Sequence, residues 1–260
     1  MSRLIAHDRR ALGSDQSVLG TTGGPFPMRY LTVGGVPAFE LSPVCGTCGL
    51  VLQRRPEAPS LHPDAAAVRA QLADGLTDLA SPVVDTFAAQ LPASEYLVVL
   101  MDVAPELVHP GSERDYFIHD RYEVWPPEPE GTPDEQPNTA YYRIGDGPAG
   151  AQADLFQFAV PMLPLADTDP AVVDRYRSPD VTPTAVAFGI LDVTAHWDSP
   201  HHHWGLFHYL LDGHHKALAA AQDGRPLRLL SFISVTESLA HSAEIDRLPE
   251  LLAAISTPGR

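Results

Sequence analysis

Two clusters of residues in this chain carry side chains suited to chemistry. The first is Asp212-Gly213-His214-His215-Lys216. It follows an apolar, aromatic run, Leu206 to Leu211, and precedes an alanine- and leucine-rich run that ends at Asp223-Gly224. That order reads as strand, tight turn and helix. Free amides and the positive end of a helix dipole would meet at the turn, which suits an anion, above all a phosphate. Gly213 would let backbone approach closely, and His214, His215 and Lys216 would add donors in the first helical turn. Lys216 is the only lysine in the chain. Cations in a first helical turn are disfavoured unless an anion sits there. The competing reading is an ordinary βα turn with a polar rim.

The second cluster is metal-like. Cys45-Gly46-Thr47-Cys48-Gly49 lies between two apolar runs, as in one zinc knuckle, where glycines let a turn tighten around two thiolates. A redox pair would instead open a helix, and plain buried cysteines are the third reading. Zinc wants four ligands and there is no third cysteine. Seven of the twelve histidines fall between His196 and His215. Two of the run His201-His202-His203, taken as His201 and His203, are expected to complete a site with Cys45 and Cys48. In a separate arrangement, His196, Asp198, His201 and His203 would hold zinc or iron in a metalloenzyme. Alternatively, the histidines cap and solvate a polar loop.

The Asp-Gly-His-His-Lys stretch, with its alanine-rich helix and following strand, resembles the phosphate box of the ParB/sulfiredoxin-like superfamily over residues 205–235. That group holds partition nucleotide switches, sulfiredoxins and free-serine kinases. The resemblance implies that Gly213, His214, His215 and Lys216 hold nucleotide phosphates. It places Asp212 beside the transferred group, as base or magnesium ligand, with His214 as a second catalytic candidate. ATP or ADP with magnesium is the implied cofactor, and a free amino acid or similar small molecule the acceptor. Lys216 stands where arginine is usual, so a bidentate grip becomes a point charge. The kinase glutamate and the partition proteins' DNA-binding domain have no counterpart.

The elements that must position these groups read as a mixed α/β fold. Central strands are expected at Tyr96 to Val103 and Ala185 to Val193, each ending near an aspartate (Asp102, Asp192), a frequent place for catalytic groups or for a solvated turn. Aromatic strands are expected at Asp115 to His119 and from Leu206. Gly34-Gly35 marks a hairpin between Met28 to Val33 and Val36 to Leu41. Strands are also expected at Tyr141 to Ile144 and Leu155 to Val160, around a turn at Gly145 to Gly150. Packing helices are expected over Leu61 to Leu79 and Val83 to Leu91, a short one over Asp169 to Tyr176, and a last one over Ser238 to Ile255. Residues 1–27 read as a polar arm. The proline-rich acidic stretch at 125–137 divides the chain into 1–124, with the knuckle-like hairpin, and 138–260, unless the two are fused.

Composition narrows the classes. The net charge of −16 disfavours nucleic acid and anionic membranes as partners, leaving a small-molecule substrate. No apolar run reaches the roughly 18 residues of a membrane span, and no leader is visible, so a cytoplasmic location is expected. Three functions follow: a nucleotide- or phosphate-binding enzyme, a His/Cys metalloenzyme, or a zinc-stabilised binding module without turnover.

Overall fold

The structure, a computed structural model, describes residues 3–23, 29–43, 50–61, 63–120, 139–177, 181–195 and 200–255. It is a mixed α/β fold built on an eight-stranded sheet, with a separate four-stranded antiparallel sheet. The strands are β1 (Arg3–Leu12), β2 (Leu19–Gly23), β3 (Arg29–Val33), β4 (Val36–Pro43), β5 (Leu50–Arg54), β6 (Ser94–Val103), β7 (Glu106–Val108), β8 (Tyr141–Gly150), β9 (Ala153–Pro161), β10 (Thr184–Ala195), β11 (His202–Asp212) and β12 (Leu227–Ser234). The large sheet runs β1-β6-β12-β10-β11-β9-β8-β7, and the small one β2-β3-β4-β5. Helices are α1 (Arg69–Asp74), α2 (Pro82–Ala88), α3 (Pro170–Arg175), α4 (His214–Asp223), α5 (Ser242–Ile245) and α6 (Leu248–Ile255).

β11 sits near the centre of the large sheet, antiparallel to β10 and parallel to β9. Its residues alternate between two apolar layers. Phe207, Tyr209 and Leu211 join a cluster with α1, α2 and the small sheet, while Trp204, Leu206 and Leu210 join one with α4, α5 and α6. A strand covered on both faces is apolar almost throughout, which is why 206–211 is legible as a strand. The α4–α6 face is concave: α6 packs against both β1 and β8, strands near opposite ends of the sheet order.

Several expectations change. Residues 1–27 do not form a loose arm where they are described, because β1 is a ten-residue edge strand on β6 and β2 belongs to the small sheet. Arg3, Arg9 and Arg10 hide the strand's alternation; Arg9 reaches Glu95 and Asp246, and Arg3 reaches Asp102. Asp115 to His119 is a run of turns rather than a strand, since Asp115 accepts hydrogen bonds from the amides of Gly111 and Phe117 at 2.9 and 3.1 Å and so folds the chain locally. β8 continues through the glycines to Gly150. The expected helix at 61–79 shrinks to a 3-10 turn, Ala66–Val68, and six residues of α1, ending at Gly75 with φ 84°. The final helix is split into α5 and α6. The 125–137 stretch lies outside the described residues, and the large sheet takes β1, β6 and β7 from before it and five strands from after it.

The core is tied by polar groups as well. Across the layers, Arg29 of β3 makes two 3.0 Å bonds to the carboxylate of Asp192, whose other contact is the Leu239 amide at 3.1 Å. Burial raises the Asp192 pKa, against the pull of Arg29. On the concave face, the fully buried His208 meets Ser231 Oγ through Nδ1 at 2.7 Å, and burial lowers its pKa to about 3. Below the ordinary histidine pKa, the unfolded chain binds a proton that the native one refuses, so this stability is lost as pH falls from about 6.5 towards 3. Between pH 7 and pH 5, His208→Gln should lose about 2 kcal/mol less unfolding free energy than wild type, read from urea midpoints.

Candidate functional site

The strand–glycine–helix junction exists as read. Gly213 has φ 98°, and a Cβ there would come 2.5 Å from Ala185 Cβ and 2.8 Å from Ala185 Cα. Only glycine fits so close to β10 in that conformation. α4 then opens without a capping side chain, and the Ala217 amide bonds Gly213 O at 2.8 Å. Among the described residues, the His215 and Lys216 amides meet no acceptor.

The side chains of the junction turn into the protein. His214 Nε2 accepts from the amides of Met162 and Leu163, both at 3.1 Å. His215 Nε2 accepts from the Asp169 amide at 3.1 Å. The Lys216 ammonium donates to Thr184 O at 2.9 Å and to Asp212 Oδ1 at 2.6 Å, with Tyr176 beside it. Burial lowers the Lys216 pKa, and Asp212 opposes that. Burial likewise lowers that of His215. This stretch therefore works as a joint that pins the loop after β9 to the start of α4.

The histidine-rich loop is brought to a different place. Cys45, Cys48, His196 and Asp198 lie outside the described residues. His201 and His203 are neighbours, with ring centroids 5.8 Å apart. His201 Nε2 meets Asp154 Oδ2 at 2.9 Å, while His203 is fully buried with Nδ1 2.5 Å from the Tyr116 hydroxyl. Among the described residues, no three His, Cys, Asp or Glu side chains are grouped closely enough to hold a metal. Asp102 and Asp192, the strand aspartates, are both occupied by arginines: Asp102 by Arg228 and Arg3, Asp192 by Arg29.

The His201–Asp154 pair opens onto a pocket of about 430 Å³, lined also by Asp120, Asp146, Gly147, Pro148 and Phe156. Its position follows from register. Asp146 stands opposite Phe156, and Asp154 opposite His203, so these groups share one face at one end of the sheet. Arg143 is buried beneath them; it bonds Asp120 Oδ2 at 2.5 Å and Asp146 Oδ2 at 3.1 Å through Nε. Burial raises the Asp146 pKa, with Arg143 acting against it. The covering segment is held by Asp115, whose Oδ1 accepts from the Tyr141 hydroxyl at 2.9 Å, and that hydroxyl accepts from the Tyr116 amide at 2.9 Å. Sequence reasoning singled out His201, and named Asp120 only beside His119 in a nucleophilic arrangement without a Gly-x-Ser-x-Gly elbow, but missed Asp154, Asp146 and Arg143. The signal was single charged residues, Arg143, Asp146 and Asp154, set in strands otherwise largely apolar.

No protein-family model, curated protein or solved structure matches the chain, so the resemblance to the ParB/sulfiredoxin-like superfamily rests on residues 205–235 alone. The junction makes its own prediction. Gly213→Ala should destabilise by about 2–4 kcal/mol, from a strained left-handed residue and a clash with β10. A thermal melt measures it, with Gly224→Ala, where a Cβ meets nothing within 4 Å, as the milder control.

Proposed function

We propose that the chain is a hydrolytic enzyme that works by acid–base catalysis in the His201 pocket, on a small uncharged or cationic substrate. The observation that carries this is the 2.9 Å His201–Asp154 pair on the wall of an open pocket that also holds Asp120 and Asp146. Asp154 holds the imidazole in place, so that His201 passes a proton to or from the reacting group. Asp146 stands on the same pocket wall, where burial raises its pKa and its pairing with Arg143 opposes that. Three carboxylates in the pocket and a net charge of −16 discourage anionic guests.

A second reading keeps the phosphate junction. It is favoured by the His215 and Lys216 amides, which meet no acceptor among the described residues, at the start of a ten-residue helix. ATP or ADP with magnesium would lie against Gly213 and those amides, and Lys216 would have to leave Thr184 to reach it. A zinc ion held by Cys45, Cys48, His201 and His203 is the third arrangement, in which His201 would give up Asp154.

The test is a panel of uncharged chromogenic esters, amides and glycosides, run beside titrations with ATP and ADP and elemental analysis of the purified chain. Turnover should fall by roughly 10²–10⁴-fold in His201→Ala and in Asp154→Asn, with little change in melting temperature. Turnover indifferent to both changes, or no turnover at all, removes the first reading. Nucleotide binding abolished by Lys216→Ala would favour the second, and stoichiometric zinc lost in His203→Ala the third.

A further inference from the structure

On the concave face of the large sheet, four buried polar atoms meet no hydrogen-bond partner among the described residues: His208 Nε2, both carboxamide atoms of Gln157 and the Tyr142 hydroxyl. Each of these residues is fully buried. Such atoms are expensive to leave unpaired, and native cores hold few of them. Here they share one face. Tyr142 of β8 and His208 of β11 both lie opposite Ala159 of β9, one from each side, and Gln157 is two residues before Ala159 on the same strand. Neighbouring strands are about 4.8 Å apart, so Tyr142 and His208 start about 10 Å apart with only a methyl group between them.

The floor is built from small residues. Next along the row is Gly189 of β10, opposite His208. A Cβ on Gly189 would fall 3.0 Å from Ser231 Oγ and 2.8 Å from Ile233 Cγ1. The glycine thus lets His208 reach Ser231 across an intervening strand, which fixes the imidazole by Nδ1. The apolar cluster on this face also takes in Ala217 and Ala220 of α4, again small. Burial lowers the His208 pKa to about 3, which favours the neutral ring.

We propose that this face holds a buried site for one small uncharged molecule, a few heavy atoms in size, that both donates and accepts hydrogen bonds. Gln157 supplies a donor and an acceptor, Tyr142 a hydroxyl, and His208 a ring nitrogen. The molecule is short and amide- or alcohol-like, because taking a charge out of water into this buried face is costly and an apolar guest would leave all four atoms unpaired. The site is independent of the His201 pocket, which lies on the Phe156 side of β9.

The experiment uses the full purified chain. Protein is denatured, and released small molecules are identified by mass spectrometry from wild type, Tyr142→Phe and Gln157→Met. Wild type should release one neutral compound in stoichiometric amount, both variants should retain about tenfold less, and both should melt about 2–6 °C lower. If wild type releases nothing but water, the proposal is wrong, whichever way the variants melt. It is equally wrong if both variants keep the compound in full. Tyr142→Phe removes a single oxygen, so it carries the test should Gln157→Met fail to fold. Acetamide, added to protein that has been unfolded and refolded without its guest, should raise the melting temperature of wild type and leave Tyr142→Phe unmoved; no shift in wild type counts against the site.

Discussion

The fold depends on β11 being covered on both faces. A strand with Trp204, Leu206 and Leu210 on one side and Phe207, Tyr209 and Leu211 on the other cannot leave either side to water. Two cover layers are therefore required. The small sheet with α1 and α2 supplies one, and α4 with α5 and α6 supplies the other. Every polar group between those layers must then find a partner inside the protein.

The layers meet that requirement in different ways. Charge is answered by charge: Arg29 of the small sheet lies on Asp192 of the large one, and Arg143 on Asp120 and Asp146 beside the His201 pocket. At the junction below β11, a lysine and two histidines are absorbed by backbone groups and one aspartate. On the concave face His208 and Ser231 close on each other, while His208 Nε2, the Gln157 carboxamide and the Tyr142 hydroxyl meet no partner among the described residues. Charged groups in a core are tolerable only when paired, so each such pair also fixes which layer sits where.

What could be read from the sequence was what depends on neighbours along the chain. The apolar runs at Tyr96, Ala185 and Leu206 are strands; Gly34-Gly35, with φ 58° and 79°, turns a hairpin; and Asp169 caps α3 by accepting the Ala171 amide at 2.8 Å. Gly213 and the helix behind it were equally visible. What stayed hidden depends on residues far apart. Nothing local says that Lys216 will bend back to Thr184, 32 residues away, or that Arg3 and Arg9 belong to a strand. Asp154 and His201 meet because β9 and β11 are parallel, and parallel pairing leaves no short-range trace. The same reasoning explains why the 115–119 run deceived: its aromatic pattern is strand-like, and a single buried aspartate overrides it.

The clasp of α6 across the curled sheet has a kinetic side. Arg9 reaches Asp246 over 237 residues of chain, and β1 finds β6 only after the small sheet and two helices have intervened. Closing such distant ends early is entropically steep, and proteins dominated by long-range pairing reach their native state slowly. The outermost strand and the closing helix thus belong to the late part of assembly, and the half-formed molecule, with a greasy trough still open, would be the species that chaperones and aggregation compete for.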